Sequence, residues 1–257
     1  MGKRRGALAK SLRSQNSHKE VAEEFDGYAD SYSDAVNEAL ILPGMNVDYF
    51  ARVKAEFLKD FVAVSFPKPE EISVLDVGCG VGIYHQLLAN QFGRLVGVDV
   101  SIASVEKAAQ SNPGSQFLTY DGQRLPFEDA CFEVAFAICV VHHVPVEQWN
   151  NFFCEMYRVL KPGGFAMIFE HNPYNPLTRR IVDRCPFDKD ATLLGKRKTR
   201  SLLRQAGFHN LRARSILNMP SFGRLTRRMD LVVGLLPTGA QYLAIGQRPQ
   251  ELPDCAQ

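Results

Sequence analysis

The sequence predicts an α/β protein: a doubly wound, mostly parallel sheet with helices on both faces. Three observations predict it. Short β-rich runs alternate with helical segments from about residue 72 onward, the order that builds a parallel sheet. Runs such as 72–77 and 132–138 are apolar nearly throughout rather than alternating, as strands covered on both faces are. A glycine turn, Gly78-Cys79-Gly80-Val81-Gly82, joins the first run to the helix behind it.

The elements follow in order. Residues 18–38 read as one helix, with Phe25, Tyr28, Tyr32 and Val36 on one side at helical spacing. Pro43-Gly44 breaks it. A second helix, about 46–64, carries an apolar stripe of Tyr49, Phe50, Val53, Phe57, Leu58 and Phe61, and Phe66-Pro67-Lys68-Pro69 closes it. Then come a strand at 72–77, a helix at 83–92, a strand at 95–100, a helix at 103–109 and strands at 116–120 and 132–138. A helix over 146–160 is ended by Lys161-Pro162-Gly163-Gly164, and a strand at 165–169 follows. Beyond 172 the pattern loosens into helices at 175–184 and 197–206, a strand at 210–217, a helix at about 223–235 and a last strand at 241–247.

The chain has 257 residues, 46% hydrophobic and 23% charged. These proportions exclude disorder, collagen-like repeats and disulfide miniprotein scaffolds. No apolar run approaches the ~18 to 20 residues of a membrane span. The six cysteines include no C-x-x-C pair, and no histidine stands at zinc spacing. No metal is expected, and a reducing cytoplasm is the simplest setting. The formal net charge of +2 hides a split. Residues 18–157 hold 8 basic and 21 acidic residues, and residues 158–230 hold 16 basic and 5 acidic. Residues 1–17 hold five basic residues and no acid, which reads as a flexible arm. Charge asymmetry of this size bears on partners.

The spacing of the glycine turn separates two ligand classes. A dinucleotide fingerprint needs G-x-G-x-x-G, whereas Gly78, Gly80 and Gly82 give G-x-G-x-G. Glycines permit a tight turn and a close ligand, and the helix behind offers free N–H groups. Asp76 precedes the turn. An acid there repels a pyrophosphate and attracts a cation such as S-adenosylmethionine (SAM), which bears a sulfonium and an α-ammonium and no phosphate. Asp99 ends the second strand, 17 residues after Gly82 and just before Val100, where an acid accepts both ribose hydroxyls. Asp121-Gly122 ends the third. Asp121 can accept a hydrogen bond from the adenine amine, although Asp-Gly is also a common turn.

Several further motifs accompany these. They are Leu125-Pro126-Phe127 before the fourth strand, Val141-His142-His143-Val144 after it, and Tyr157-Arg158-Val159-Leu160-Lys161-Pro162-Gly163-Gly164. With Val74–Gly82, Gly97–Asp99 and Tyr120-Asp121, the set resembles class I SAM-dependent methyltransferases. The closest type is the small-molecule group that includes ubiquinone- and menaquinone-pathway enzymes. The resemblance covers residues 72–172, and Phe25-Asp26-Gly27-Tyr28-Ala29-Asp30-Ser31-Tyr32 is similar to that group's lid helix. It implies a Rossmann-like sheet of seven strands, the last antiparallel, under an N-terminal helical lid. The expected layout is a basic arm at 1–17, the lid at 18–66 and the SAM-binding core at 67–172. Substrate-side helices and the last strands occupy 173–248, and a tail 249–257. Tyr28 and Tyr32, four apart, can close over the cofactor. Glu133 departs from the group's usual Asp at the start of the fourth strand, a change expected to be harmless.

Two candidate catalytic residues follow strand ends. His171, in Glu170-His171-Asn172 after the fifth strand, is the first choice for a general base, because imidazole titrates near neutral pH. His143, after the fourth, is the second. Either can instead shape or cap its loop. Asn172-Pro173-Tyr174 differs from the N-P-P-Y motif of amino-directed nucleic-acid methyltransferases, having one proline and following the fifth strand rather than the fourth. The basic stretch 178–228 falls on the substrate side.

The reading is methyl transfer from SAM to an O or N atom of a small acceptor in a biosynthetic pathway. Anionic, carrier-linked and lipid-linked acceptors all fit. Nucleic acid is not the expected partner, since aromatics are sparse in the basic stretch. The alternatives are an RNA or DNA methyltransferase using 178–228 as its track, and a SAM-binding protein without catalysis.

Overall fold

The computed structural model describes residues 18–40, 46–189, 191–218 and 223–250. The basic arm, the Pro43-Gly44 break and residues 251–257 of the tail lie outside these described residues.

Strands β1 (Ser73–Val77), β2 (Arg94–Asp99), β3 (Gln116–Thr119), β4 (Phe132–Ile138), β5 (Leu160–His171), β6 (His209–Ile216) and β7 (Gln241–Gln247) form one sheet. Their order is β3-β2-β1-β4-β5-β7-β6. β7 runs antiparallel to both of its neighbours, and the remaining pairs are parallel. The seven-stranded sheet with its antiparallel last strand is therefore present. The helices are α1 (18–28), α2 (Tyr32–Ala39), α3 (Val47–Ser65), α4 (Ile83–Leu88) and α5 (Ile102–Ser111), then α6 (Trp149–Val159), α7 (Pro176–Val182), α8 (Lys196–Gln205) and α9 (Arg224–Val233).

Alternation along each strand divides the apolar side chains between two cores. Val74, Val134, Phe136, Met167 and Phe169 pack with Val53, Phe57 and Leu58 of α3 and Leu88 of α4. Leu75, Val77, Ala135, Ala137 and Ile168 face the other way, onto Phe153 and Met156 of α6 and Leu202 and Leu203 of α8. Burying each of the larger side chains stabilises the fold by roughly 1.5–3 kcal/mol. Both faces of β4 and β5 are thus covered, which is why their sequences lack alternation. No helix among the described residues is long and apolar enough to cross a membrane.

Several boundaries differ from expectation. Residues 18–38 form two helices, because the chain turns at 29–31, where the Ser31 N–H donates to Tyr28 O at 3.0 Å. Tertiary contacts fix that turn in place: Asp26 before it and Asp30 within it are tied to α5, and Tyr32 beyond it stacks on Phe187. The 83–92 helix stops at Leu88, where Asn90 takes a left-handed conformation with φ 59°. A 3₁₀ turn occupies Val146–Gln148 ahead of α6. β5 begins at Leu160 rather than 165, since Leu160 already pairs with Phe132 before an irregularity in the register. Glu133 takes up a structural task. It accepts the Ser73 N–H at 2.7 Å and pairs with Lys161 at 2.5 Å, joining the starts of β1, β4 and β5.

The carboxyl ends of the strands position the site. β1 and β4 are adjacent, with β2 and β3 beyond one and β5 beyond the other. The crevice at that reversal of strand order is where ligands bind in such sheets.

Candidate active site

The glycine turn is built for close approach. Gly78, Gly80 and Gly82 all have positive φ, at 78°, 49° and 79°. A Cβ on Gly78 would meet the Val140 side chain at 2.4 Å, whereas one on Gly80 would meet nothing within 4 Å. The Gly80 N–H donates to Asp99 Oδ2 at 2.8 Å, and the Ser101 N–H to Oδ1 at 3.0 Å. These bonds aim the carboxylate at a cavity of about 920 Å³, partly open to solvent, whose lining includes Gly78, Gly80, Asp99, Val100 and Tyr120. Burial raises the Asp99 pKa above its ordinary value, against the backbone N–H bonds that favour its charged form.

The lid is latched onto this cavity from the side. Asp26 of α1 accepts from Ser101 Oγ at 2.6 Å and from the Ala103 N–H at 3.1 Å, and Asp30 pairs with Lys107 at 2.8 Å. Asp26 thereby adds an acceptor at the N-terminus of α5, where free N–H groups favour an anion. Held this way, Phe25, Tyr28 and Tyr32 roof the cavity. Their rings meet Phe187, with Tyr32 stacked on it at 5.2 Å and 13°.

A second cavity of about 1070 Å³ adjoins the first. Phe25, Tyr32, Ile138, Cys139 and His143 line both. Behind it lies a buried histidine network. His142 Nδ1 meets Glu170 Oε2 at 2.5 Å, and Glu170 Oε1 accepts the Val140 and Val141 N–H groups at 3.0 and 2.7 Å. His142 Nε2 and His143 Nε2 lie 3.5 and 3.2 Å from one carboxylate oxygen of Asp188. Burial works against charge on His142, but the Glu170 charge and the bonds to both acids raise its pKa well above 6.5. His143 goes the other way: burial and the neighbouring His142 charge lower it to about 4. At neutral pH His143 is therefore an uncharged imidazole at the boundary of the two cavities. His142, His143 and Asp188 present ligand atoms within 4.8 Å of one another and are the described residues that could hold a metal ion. Sequence spacing could not reveal that group, because Asp188 arrives from a distant loop.

The sequence-predicted residues divide. Gly78, Gly80, Asp99, Val100, Tyr28 and Tyr32 line the first cavity, His143 lines both, and His171 lines the second. Gly82 lies behind the turn, where a Cβ would meet Asn112 at 2.7 Å. Asp121 lines neither of the two cavities. It accepts the Gln123 and Arg124 N–H groups at 2.8 and 2.9 Å, closing the turn that follows β3. Gly122 packs under His18, which a Cβ would meet at 2.4 Å. Asp76 is buried beneath the turn, outside the lining, with Oδ2 unpartnered and His85 Nε2 3.6 Å away. Burial drives both groups toward their neutral forms, raising Asp76 and lowering His85 to about 4, so the two do not form an ion pair. The expectation that Asp76 meets the cofactor's charge directly is not matched by this placement.

Sequence reasoning missed Cys139, Lys54, Gln241, Phe187 and Asp188, all of which line the second cavity. The arginines of 178–228 are absent from that lining. Arg227 instead pairs with Asp60 and Glu56 of α3, and Arg224 with Asp60. Asn172 is structural, its Nδ2 donating to Pro237 O and Gly239 O.

Residues of this chain fit SAM on three counts: the open cradle at Gly80, the Asp99 carboxylate aimed into the cavity, and the aromatic roof. The comparisons with known proteins agree. Residues 75–168 match the family described as methyltransferase domain. The chain is 30% identical over 142 residues to 2-methyl-6-phytyl-1,4-hydroquinone methyltransferase of Synechocystis sp., covering 49% of this chain and 44% of that protein. It is 29% identical over 150 residues to tRNA (carboxymethyluridine(34)-5-O)-methyltransferase of Arabidopsis thaliana, covering 54% of this chain and 36% of that one. The chain spans less than half the length of these curated relatives. A SAM-dependent methyltransferase from Thermotoga maritima superposes with a TM-score of 0.62 at 18% identity, covering 89% of this chain and 99% of that structure. Residues 75–168 thus match a methyltransferase-domain family, in a chain that shares the fold of a solved SAM-dependent methyltransferase.

Proposed function

We propose that the protein transfers the methyl group of SAM to an O or N atom of a small acceptor bound in the second cavity. The observation that carries this reading is the pair of adjoining cavities with His143 and Cys139 in their common wall. Asp99 would hold the ribose, the glycine turn would let the cofactor approach the backbone, and Phe25 and Tyr32 would exclude water from the junction. When bound, SAM supplies an electrophilic methyl group on sulfur. The chain then has mainly to orient the acceptor and keep the site dry.

His143 is the favoured base, ahead of the sequence's first choice, His171. It borders both cavities and is uncharged at neutral pH. His171 lines only the second, and its pKa is raised, burial being outweighed by Cys139. A small acceptor is favoured over RNA by the lid over the cavity and by the absence of the arginines from its lining. A reducing compartment belongs to the same reading, supported by the five unpaired cysteines among the described residues.

Two measurements test it. Calorimetry with S-adenosylhomocysteine should give saturable binding that Asp99→Ala weakens. Labelled SAM, supplied with panels of small hydroxyl and amine acceptors and with transfer RNA, should label a small acceptor. Labelling of RNA alone, or no cofactor binding, would overturn the proposal.

A further inference from the structure

We propose that Lys54, with Gln241 and His171 beside it, forms an oxyanion-binding subsite in the second cavity, so that the acceptor carries a carboxylate or a phenolate on an apolar body. The inference rests on the reading of this cavity as the acceptor site.

Lys54 stands where α3 should carry an apolar residue. Ala51 and Leu58, three and four positions away on the same helical face, are buried, and Lys54 itself is only 6% exposed. A buried ammonium is costly unless something answers its charge. Among the described residues Lys54 is paired with no carboxylate. Its Nζ donates to Cys139 Sγ at 3.8 Å and lies 5.8 Å from the Tyr84 ring centre. Burial opposes charge on Cys139, although Lys54 and His171 lower its pKa; sulfur at this distance is a weak acceptor, and the ring contact is long. Lys54 is also the single Lys or Arg among the described residues that line this cavity.

Its neighbours complete the subsite. Gln241 Nε2 lies 3.5 Å from the same sulfur and 3.4 Å from His171 Nδ1. Gln241 Oε1 is buried without a partner, which a hydroxyl or N–H of the acceptor would supply. Buried polar groups left open in this way are uncommon in folded proteins. Much of the remaining wall is aliphatic or aromatic, including Val36, Leu40, Phe50 and Ile181. The Asp188 carboxylate of this lining is taken up by His142 and His143, so the wall beside Lys54 suits an apolar body bearing one anionic oxygen.

Cys139 lines both cavities, so an oxygen held beside it lies at the boundary with the proposed cofactor cavity. In the step, an oxygen lone pair forms the O–CH₃ bond, the S–CH₃ bond breaks, and its electron pair stays on sulfur. Anion and sulfonium become two neutral products. A carboxylate or a phenolate enters already ionised, so the step itself needs no base.

The test uses two ligand pairs matched in shape, without turnover: benzoate against benzamide, and 4-nitrophenolate against 4-nitroanisole. Each is titrated by calorimetry into the full chain, with and without S-adenosylhomocysteine. We expect at least one anion to bind about tenfold or more tighter than its neutral partner. Which pair shows the preference separates carboxylate from phenolate. Lys54→Met should erase the preference while circular dichroism stays native, Lys54→Arg should keep it, and Cys139→Ala should keep it. Equal binding of both members of each pair, no binding of any ligand, or a preference that survives Lys54→Met would overturn the subsite. Loss of S-adenosylhomocysteine binding alone would overturn the cofactor reading and leave the anion preference measurable.

Discussion

The Gly80 N–H donates to Asp99 Oδ2 across 2.8 Å, so the glycine turn after β1 and the acid that ends β2 form one unit. Replacing the acid therefore does two things at once. Asp99→Ala removes the proposed ribose acceptor and frees the turn. Charge-assisted hydrogen bonds are typically worth ~1.5–3 kcal/mol each, so affinity for S-adenosylhomocysteine should fall about 10- to 100-fold. Calorimetry reads this directly, and Asp99→Asn should fall between the two.

Gly78→Ala should damage the site without a change of charge. The new methyl would stand 2.4 Å from the Val140 side chain, at a φ of 78° that L-residues disfavour. A loss of about 1–3 kcal/mol of stability is expected, as for other overpacked sites, together with weaker cofactor binding. Gly80→Ala is the informative partner. It has open space around the added atom but a left-handed φ of 49°, so it should lose less stability than Gly78→Ala while still losing cofactor affinity.

Cutting the latch should loosen the lid and leave the core intact. Asp26→Ala removes the acceptor shared by Ser101 Oγ and the Ala103 N–H. Losses of this kind cost ~0.5–2 kcal/mol. Hydrogen exchange over residues 18–40 should quicken in the variant, with β1, β4 and β5 protected as before. An unchanged pattern would mean that the segment is held by the Asp30–Lys107 pair and by its aromatic contacts with Phe187.

The pH dependence of turnover distinguishes the two histidines. A base must be unprotonated to act. With His143 lowered to about 4, activity should persist well below pH 6.5 and fall near pH 4. With His171, whose value is raised, the acid limb of kcat/KM should lie above 6.5. The profile of His143→Gln, set beside that of His171→Gln, completes the test.

Glu170→Gln should be the most destabilising of these changes. Burial raises the Glu170 pKa, but the His142 charge and bond outweigh that and bring it below 4.5. Its contribution is present above 4.5 and lost as pH falls through the folded value. The His142 contribution has the opposite sign. It is complete below 6.5 and lost as pH rises through the raised folded value. The pair therefore stabilises most between about 4.5 and 6.5. Breaking a buried pair on one side costs ~3–5 kcal/mol. Thermal melts across pH should show the largest gap from the wild type in that window.

The sheet was legible because its signals are local. Apolar runs at 72–77 and 132–138, glycines at the first crossover and an acid at the end of β2 each announce themselves within a few residues. Asp99 and the turn could be placed from spacing alone. Asp121 could not, because Asp-Gly reads alike as a ligand contact and as a turn, and here its carboxylate closes the turn. Asp76 lies beneath the turn and outside the lining; adjacency to the turn does not say whether a side chain points above or below it. Lys54, Cys139 and Asp188 were invisible for a different reason. They come from α3, β4 and the loop after α7, and only the folded chain brings them to one cavity. Charge counting pointed to the arginines of 178–228, whereas the cation in the cavity belongs to the acidic half of the chain.

The aromatic roof is shared property. Phe25 and Tyr32 border both cavities, so the same pair of rings walls each chamber. Departure of the spent cofactor and of the methylated product would then depend on one opening event.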